Sequence, residues 1–160
     1  MKKFNRKEIR LKDFDYNSIG SYYLTLCSNN KEKIFSIVNK DDFNIVLTTS
    51  GKIVEDSIIF MGNRVGIQID KYVIMPNHIH MIFTITDSNN NNVDACNSIL
   101  SKNISRFKRY TNKLAEKDLW QRGYYEHIIR NEKDYYEKWT YIDENPIYWS
   151  TDEYYADGKY

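Results

Sequence analysis

Two of the chain's three histidines lie one residue apart, in the segment YVIMPNHIHMIFTI that spans residues 72–85. An apolar segment of this kind is typical of a β-strand, on which residues two apart point to the same face. His78 and His80 would then project side by side, while Ile79 and the alternate apolar residues after it line the core-facing side. Two imidazoles at this spacing can bind one divalent cation if a third ligand comes from elsewhere. The pair alone also fits two partly exposed strand histidines without a role.

A second group of chemically capable residues lies in the segment YIDENP, residues 141–146. Tyr141 and Asn145 are four residues apart, so on a helix they share one face. Tyr141 lies about 120° away from the stripe of this helix that should face the core, so it is not an obvious core residue. The oxygen of a carboxamide is a suitable ligand for Mg²⁺ or Mn²⁺. Taken alone, the pattern equally fits a surface tyrosine on a capped helix.

The remaining pattern predicts the elements that must position these groups. Alternating or β-forming residues predict strands near 21–29, 65–75, 78–86 and 123–130. Helical spacing predicts an amphipathic helix over 97–114, with the apolar stripe Leu100, Ile104, Phe107, Thr111 and Leu114. A second helix over 131–145 should begin at Asn131 as N-cap, and its core stripe should be Tyr135, Trp139 and Ile142. Residues 50–61 fit a short helix poorly but plausibly. The mixture predicts an α+β fold with an antiparallel sheet.

The length of the chain predicts the number of domains, and the distribution of its charge suggests a type of partner. A chain of 160 residues predicts one domain, 1–160, and the Asn-rich stretch at 87–95 predicts a flexible loop within it. Net charge is only +1, yet residues 1–12 carry six basic side chains against one acid, and residues 101–133 carry nine against four. Two basic zones, the first a basic arm at 1–12, suggest a polyanion on part of the surface. Lysine-rich solvated helix faces are the alternative interpretation.

The motifs together resemble those of a known family. FDYNSIGSYYLTLCSNNKEKIF, VIMPNHIHMIF, WQRGYYEHIIRNEKDY and YIDENPIYW occur in this order over residues 11–149. They are similar to the blocks of the single-tyrosine HUH transposases of insertion sequences, and most closely of the REP-associated tyrosine transposases. The resemblance implies an RRM-like or ferredoxin-like sandwich, with helices packed on a central antiparallel sheet that carries the histidines.

The resemblance also implies a reaction. His78, His80 and Asn145 would be ligands of Mg²⁺ or Mn²⁺, and Tyr141 would attack a single-stranded DNA backbone near a hairpin. The product would be a 5′-phosphotyrosine link and a 3′-hydroxyl that can later reseal the strand. Tyr141 is preferred because it alone among its neighbours has an amide four residues later, ahead of a proline. The neighbouring tyrosines that lack this feature are Tyr135, Tyr136 and Tyr148.

Several further roles are expected. The candidates for DNA phosphate contacts are Arg106, Lys108, Arg109, Arg122, Arg130, Arg6 and Arg10, and Tyr124 and Tyr125 could stack on unpaired bases. Glu144 could lie next to the metal, whereas His127 is expected to be packed. A homodimer and a cytoplasmic, nucleoid-associated location are predicted. The absence of a long apolar segment argues against a membrane span.

Three alternatives compete with the transposase interpretation. One is a non-catalytic module of the same fold that binds single-stranded nucleic acid. Another is a metal phosphoesterase that uses the histidine pair without a covalent tyrosine. The last is a structural protein whose motifs are coincidental.

Overall fold

The computed structural model describes residues 19–87, 98–152 and 154. Six strands and three α-helices lie in these ranges. The strands are β1 (Gly20–Cys27), β2 (Ser36–Val38), β3 (Ile45–Leu47), β4 (Ile67–Ile74), β5 (His78–Ile85) and β6 (Tyr125–Ile128). The helices are α1 (Thr49–Gly62), α2 (Ile99–Ala115) and α3 (Glu132–Glu144). The basic arm at 1–12, with Arg6 and Arg10, lies outside the described residues, and so does the Asn-rich loop apart from Asp87.

The central sheet has four antiparallel strands in the order β4-β5-β1-β6. Leaving aside the small β2–β3 hairpin, the chain follows the path strand, helix, strand, strand, helix, strand before it reaches α3. This is the ferredoxin-like arrangement, with the hairpin inserted before α1 and α3 added after β6. The predicted α+β sandwich with a central antiparallel sheet is therefore confirmed.

The sheet separates two apolar layers. On one face, α1 and α2 cover the larger core, to which β5 contributes Ile79, Met81, Phe83 and Ile85. On the other face, α3 packs over a smaller core through Ile142, with Tyr135 and Trp139 against it. Because successive strand residues alternate between faces, His78 and His80 lie on the α3 side. The strand that carries them is internal to the sheet.

Side-chain caps define where each helix begins. Thr48 accepts the backbone N–H of Gly51, Ser98 accepts that of Ser101, and the predicted cap Asn131 accepts that of Asp134. Each satisfies a donor that the first turn of a helix leaves unpaired. The caps thereby set the start of α3, and with it the position of the tyrosine helix over the sheet.

The helix that residues 50–61 fit only poorly is present, whereas one residue of the predicted α2 stripe was wrong. Residues 49–62 form a regular helix of 14 residues, in which Val54, Ile58 and Met61 face the core. The helical pattern is hard to recognise in the sequence because Phe60, an apolar residue next to the buried positions, is 64% exposed. Leu114, assigned to the apolar stripe of α2, is 48% exposed, and the neighbouring Ala115 packs against the larger core instead. No helix in the described ranges is long and apolar enough to cross a membrane.

Candidate active site

The two histidines are buried between the β-sheet, α3 and the segment that follows α3. His78 and His80 are buried, and their ring centroids lie 4.5 Å apart. Across the strand pair, Cys27 lies opposite His78 and Thr25 lies opposite His80. The period of the strand therefore brings the two imidazoles together, as the sequence predicted.

Asn77 orients the ring of His78. The Asn77 side-chain N–H₂ donates to the carbonyls of Tyr154 (2.7 Å) and Lys31 (3.3 Å), so its oxygen is left facing His78. His78 Nδ1 lies 2.9 Å from that oxygen. Since an amide oxygen only accepts, Nδ1 carries the proton and Nε2 presents a lone pair. The Asn of the MPNHIH motif is thus a partner that sets the tautomer of a histidine.

His80 is held in a comparable way by two hydroxyl groups. Its Nδ1 lies 2.8 Å from Tyr23 Oη and 2.9 Å from Thr25 Oγ1. The Nε2 atoms of both histidines are buried and have no hydrogen-bond partner among the described residues. A protonated Nε2 on His80 would be a buried donor without an acceptor, which is costly. The favoured tautomer therefore has its proton on Nδ1 and a free lone pair on Nε2.

Burial keeps both rings neutral. It lowers the pKa of His78 to about 3, an effect that the adjacent Asn145 side chain opposes in part. The pKa of His80 falls well below its ordinary value because of burial and the neighbouring His78. Neutral imidazoles are the form that binds metal ions. At neutral pH the pair needs no deprotonation before it can act as a ligand.

These pKa shifts predict that the metal-free protein loses stability in mild acid. The histidines of the unfolded chain take up protons below about pH 6.5, whereas folded His78 does not until about pH 3, and the pKa of folded His80 is also well below its ordinary value. The stability that the neutral histidines contribute is therefore fully present above the pKa of histidine in the unfolded chain, and it is lost as the pH falls below that pKa. Each histidine should remove about 1.4 kcal/mol between roughly pH 7.5 and 5.5. Urea unfolding in EDTA at the two pH values measures the loss.

The matched variant for this test is His78→Asn with His80→Asn, which removes both imidazoles. The free energy of unfolding of this variant should change less between the two pH values than that of the wild type. The difference between the two proteins is the contribution of the two histidines. An equal pH dependence in the two proteins would contradict the burial of the neutral rings as its cause.

Two oxygen donors lie next to the histidine nitrogens. Asn145 is buried at the end of α3, and its Oδ1 has no hydrogen-bond partner among the described residues. Asp152 follows a short 3-10 helix (Trp149–Thr151), and a carboxylate oxygen lies within 4.8 Å of ligand nitrogens of both histidines. The Asp152 Oδ1 atom accepts the backbone N–H of Tyr154 at 2.8 Å. The sequence prediction included Asn145 and missed Asp152, which no local spacing relates to the histidines.

Tyr141 projects from α3 into the same place. Its ring centroid lies 5.4 Å from that of His80 and 6.1 Å from that of Tyr23, both edge-to-face. The side chain is 44% exposed, because it borders an open cavity of about 450 Å³ next to the histidines. The cavity is lined by Tyr23, Thr25, His80, Tyr125, Lys138, Tyr141 and Tyr154. One chain therefore brings its own tyrosine to its own histidines.

The neighbouring tyrosines occupy other positions. Tyr135 packs against Trp139 on the core side of α3, and burial raises its pKa to about 12. Tyr136 and Tyr148 are exposed and do not line the histidine cavity. Of the four tyrosines compared as nucleophiles from the sequence, only Tyr141 borders it. Tyr154, which was not considered from the sequence, packs against His78, with ring centroids 4.5 Å apart and the rings tilted by 37°.

Glu144 and His127 were also considered from the sequence, and they lie in different places. Glu144 is exposed beside Tyr141 and Asn145. His127 is outside the cavity, where its Nε2 contacts both carboxylate oxygens of Asp134 at 2.9 and 2.8 Å. This contact ties β6 to the first turn of α3. His127 therefore has a structural partner, in keeping with the expectation that it is packed.

The expected DNA contacts divide between two surfaces. Arg122 lies in a cavity that shares Thr25, Tyr125 and Tyr154 with the histidine cavity, and Arg130 is exposed after β6. Arg106 and Arg109 instead lie on α2, across the sheet from the histidines.

Lys108 and Tyr124 are partly buried. The Lys108 ammonium donates to the carbonyls of Gln121 and Gly123, and burial lowers its pKa to about 8. Tyr124 packs against the larger core, whereas Tyr125 borders the histidine cavity.

Comparison with known proteins identifies the class. The family described as "Transposase IS200 like" matches residues 18–145, and the chain belongs to this family. An uncharacterized protein of Haemophilus influenzae is 35% identical over 96% of this chain and 94% of its own length. A REP-associated tyrosine transposase of Escherichia coli is 29% identical over 64% of this chain and 58% of its own length.

A solved structure supports the fold. The structure of a REP-associated tyrosine transposase bound to a REP hairpin superposes with a TM-score of 0.59 at 24% identity. The match covers 92% of this chain and 73% of that one. The resemblance seen in the sequence motifs is therefore confirmed at the level of family and fold.

Proposed function

We propose that the protein cleaves and rejoins single-stranded DNA beside a hairpin, with Tyr141 as the nucleophile. One observation carries this proposal: three buried atoms that suit a metal, His78 Nε2, His80 Nε2 and Asn145 Oδ1, have no hydrogen-bond partners in the described part of the chain. Buried polar atoms without partners are rare unless something absent from the protein completes them. They lie beside a half-exposed tyrosine at the border of an open cavity. The hairpin is taken from the solved relative, which binds one.

The donor set fits a divalent cation such as Mg²⁺ or Mn²⁺. His78, His80 and Asn145 would hold it, and Asp152 would contribute a negative charge next to them. Two neutral imidazoles with oxygen donors suit Mn²⁺ well, and a carboxylate makes Mg²⁺ acceptable. When bound, the ion would supply Lewis-acid polarisation of the scissile phosphate.

The residues of the chain would carry the displacement itself. The phenol oxygen of Tyr141 forms a bond to phosphorus, the bond from phosphorus to the 3′-oxygen breaks, and that oxygen leaves as a hydroxyl after it gains a proton. The phenol loses its proton in the same step. Lys138 lines the cavity one helical turn before Tyr141 and presents a positive charge toward an incoming phosphate. Rejoining reverses these bonds, with a 3′-hydroxyl attacking the phosphotyrosine.

DNA would reach the cavity along its open side. Arg122, Tyr125 and Arg130 lie on the sheet face or edge next to the cavity and are proposed to contact the strand near the cleavage site. Lys108 is expected to contribute less than these residues, because its ammonium already binds two carbonyls. A homodimer stays a prediction, since one chain alone places Tyr141 beside His80. Nucleoid association would follow from DNA binding.

The direct test is covalent trapping. Single-stranded oligonucleotides that span the hairpins flanking the gene are incubated with the protein and Mg²⁺ or Mn²⁺, then separated on a denaturing gel. A 3′-label should move with the protein, because the linkage retains the 5′-phosphate of the downstream fragment. A 5′-label should be released on a shorter strand that ends in a hydroxyl. Tight binding without any adduct would instead favour the non-catalytic module.

Asp152 allows a separate prediction about metal affinity. Asp152→Asn keeps the shape of the side chain and removes its charge, so Mn²⁺ affinity should fall by about tenfold or more. Isothermal titration or the EPR signal of free Mn²⁺ measures the change. The matched control is Asp143→Asn, which removes an exposed carboxylate that pairs with Lys71 away from the cavity. If Asp152→Asn and Asp143→Asn bind Mn²⁺ equally well, the carboxylate of Asp152 is not part of the site.

A further inference from the structure

Tyr23 lines the histidine cavity, although the proposed reaction gives it no role of its own. It lies in the middle of β1, and its side chain is only 5% exposed. Successive residues of a strand face opposite sides, so Tyr22 enters the larger core while Tyr23 lies on the α3 side with the histidines. A buried tyrosine hydroxyl usually has a hydrogen-bond partner. The partner here is a candidate metal ligand.

The hydroxyl of Tyr23 contacts His80. Thr25 is directly opposite His80 in the pairing of β1 with β5, so Tyr23, two residues before Thr25, is a diagonal neighbour of His80. An aromatic side chain is long enough to reach such a neighbour. Tyr23 Oη lies 2.8 Å from His80 Nδ1, and the two rings stack with centroids 5.4 Å apart and an interplanar angle of 25°. The contact therefore restrains the plane of the imidazole as well as its tautomer.

The ring of Tyr23 contacts the candidate nucleophile. Its centroid lies 6.1 Å from that of Tyr141, edge-to-face with an interplanar angle of 76°. Lys138 Nζ lies over the face of the Tyr23 ring, 5.3 Å from its centroid. Lys138 and Tyr141 are three residues apart on α3 and are neighbours on its surface. Aromatic pairs and cations over rings prefer defined geometries, so the Tyr23 ring limits where the phenol and the ammonium can lie.

We propose that Tyr23 is a positioning residue that couples the metal ligand His80 to the nucleophile Tyr141. Its hydroxyl orients His80, and its ring holds Tyr141 and Lys138. Because the ring is rigid, one side chain sets the separation between the metal site and the phenol. Misplacement of a reacting group by about 1 Å can lower a rate about a hundredfold. The reaction that this arrangement serves rests on the proposed function, whereas the arrangement itself exists without substrate.

Tyr23→Phe tests the hydroxyl, because it keeps the ring. Mn²⁺ affinity should fall by about tenfold, as is typical when a metal-ligating histidine loses a hydrogen-bond partner. With Thr25→Val added, His80 Nδ1 loses both of its hydroxyl partners, and affinity should fall further, toward about a hundredfold. The matched control is Tyr22→Phe, which removes a hydroxyl from the buried tyrosine on the other face of β1. Its Mn²⁺ affinity should equal that of the wild type.

A measurement in EDTA examines the same contact without metal. ¹⁵N NMR of protein with labelled histidine distinguishes the two imidazole tautomers, and the signals of His80 are assigned by their absence from His80→Asn. The population of the tautomer protonated on Nδ1 should fall in Tyr23→Phe with Thr25→Val and stay unchanged in Tyr22→Phe. An unchanged tautomer in the double variant, or equal Mn²⁺ affinities in Tyr23→Phe and Tyr22→Phe, would overturn the role assigned to the hydroxyl.

Tyr23→Leu tests the ring, and Tyr22→Leu is its control for the loss of a buried aromatic side chain. The single-turnover rate of adduct formation is measured at saturating Mn²⁺ and DNA, so that neither affinity limits it. Tyr23→Phe should keep most of the wild-type rate under these conditions. Tyr23→Leu should be slower than Tyr22→Leu by about tenfold or more, because the phenol loses the surface that places it. Thermal unfolding in EDTA checks that both leucine variants are folded at the assay temperature.

The position of Tyr141 can also be followed without cleavage. Fluorotyrosine is incorporated, and the ¹⁹F signal of Tyr141 is assigned by its absence from Tyr141→Phe. Tyr23→Leu should move this signal toward that of a solvent-exposed tyrosine, whereas Tyr22→Leu should leave it in place. An unmoved signal in Tyr23→Leu would overturn the role assigned to the ring. Equal rates in the two leucine variants, when the wild type forms the adduct, would do the same.

Failure of the proposed function can be told apart by these measurements. If the wild type forms no adduct while the tautomer, the Mn²⁺ affinity and the ¹⁹F signal change as expected, Tyr23 positions these groups and the catalytic proposal fails. If the wild type forms the adduct while each Tyr23 variant matches its Tyr22 control, the catalytic proposal stands and Tyr23 serves packing alone.

Discussion

Tyr141→Phe is expected to abolish the covalent DNA adduct and to reduce strand cleavage by several orders of magnitude. The substitution removes the phenol oxygen of Tyr141, which is the atom of this residue that would bond to phosphorus. Phenylalanine at this position therefore cannot form the covalent link. The ring stays, and with it the edge-to-face contacts to His80 and Tyr23. Because the side chain is half-exposed, the free energy of unfolding should change by less than about 0.5 kcal/mol. Loss of activity would then reflect chemistry and not folding.

The structure supplies matched controls for this prediction. Tyr136 and Tyr148 are exposed tyrosines, on α3 and just beyond it, that do not border the histidine cavity. Their replacement by phenylalanine should leave adduct formation near the wild-type level. DNA affinity and Mn²⁺ affinity of Tyr141→Phe should also stay near wild type, since neither the proposed DNA contacts nor the metal ligands change.

A surviving adduct in Tyr141→Phe would move the nucleophile to another residue. The candidates at the cavity would be the exposed Tyr125 and the half-buried Tyr154, because both line it, whereas Tyr23 is buried and its pKa is raised by burial. Mass spectrometry of the DNA-linked peptide distinguishes them, since the two tyrosines lie in different proteolytic fragments. Finding the link on either residue would contradict the assignment made from the YIDENP motif.

The parts of the site that were predictable are those set by local geometry. The strand period alone places His78 and His80 on one face, and the helical period places Tyr141 off the core stripe of α3. The N-cap of that helix was also readable, because Asn131 precedes two acids in the first turn. These features depend on neighbours within four residues, which the sequence displays directly.

The parts that were missed depend on tertiary structure. Asp152 and Tyr154 reach the histidines because the chain after α3 folds back over β5, anchored by the bond from Asn77 to the Tyr154 carbonyl. No spacing in the sequence relates position 152 to positions 78 and 80. Only the packing of the segment onto the sheet makes this carboxylate a candidate ligand.

The positions of the basic residues of α2 were predictable only in part. At about 100° per residue, Lys108 is turned about 200° from Arg106, whereas Arg109 is within about 60° of it. Helical geometry could therefore have separated Lys108 from the two arginines. Which side faces a groove and which faces the carbonyls of Gln121 and Gly123 is decided by the packing of α2 against its neighbours.

Substitution of the histidines has the other large expected effect. His78→Asn or His80→Asn should lower Mn²⁺ affinity by about a hundredfold or more, because each removes an imidazole Nε2. Asparagine keeps a polar atom near the former Nδ1 position, where Asn77, or Tyr23 and Thr25, need a partner. The change therefore removes a ligand while it limits the cost of unpaired buried groups. Adduct formation should be lost with Tyr141 still present.

Thermal unfolding separates loss of the metal from loss of the fold. A ligand that binds only the folded state at about 100 times its Kd adds about 2.7 kcal/mol of stability, so Mn²⁺ should raise the Tm of the wild type well above its value in EDTA. The two histidine variants should show no such rise at the same concentration. His127→Asn is the matched control, because the third histidine bonds to Asp134 outside the cavity, and this variant should keep the full response to Mn²⁺. An undiminished rise in His80→Asn would show that the ion binds elsewhere, and the orphaned Nε2 atoms would then need another explanation.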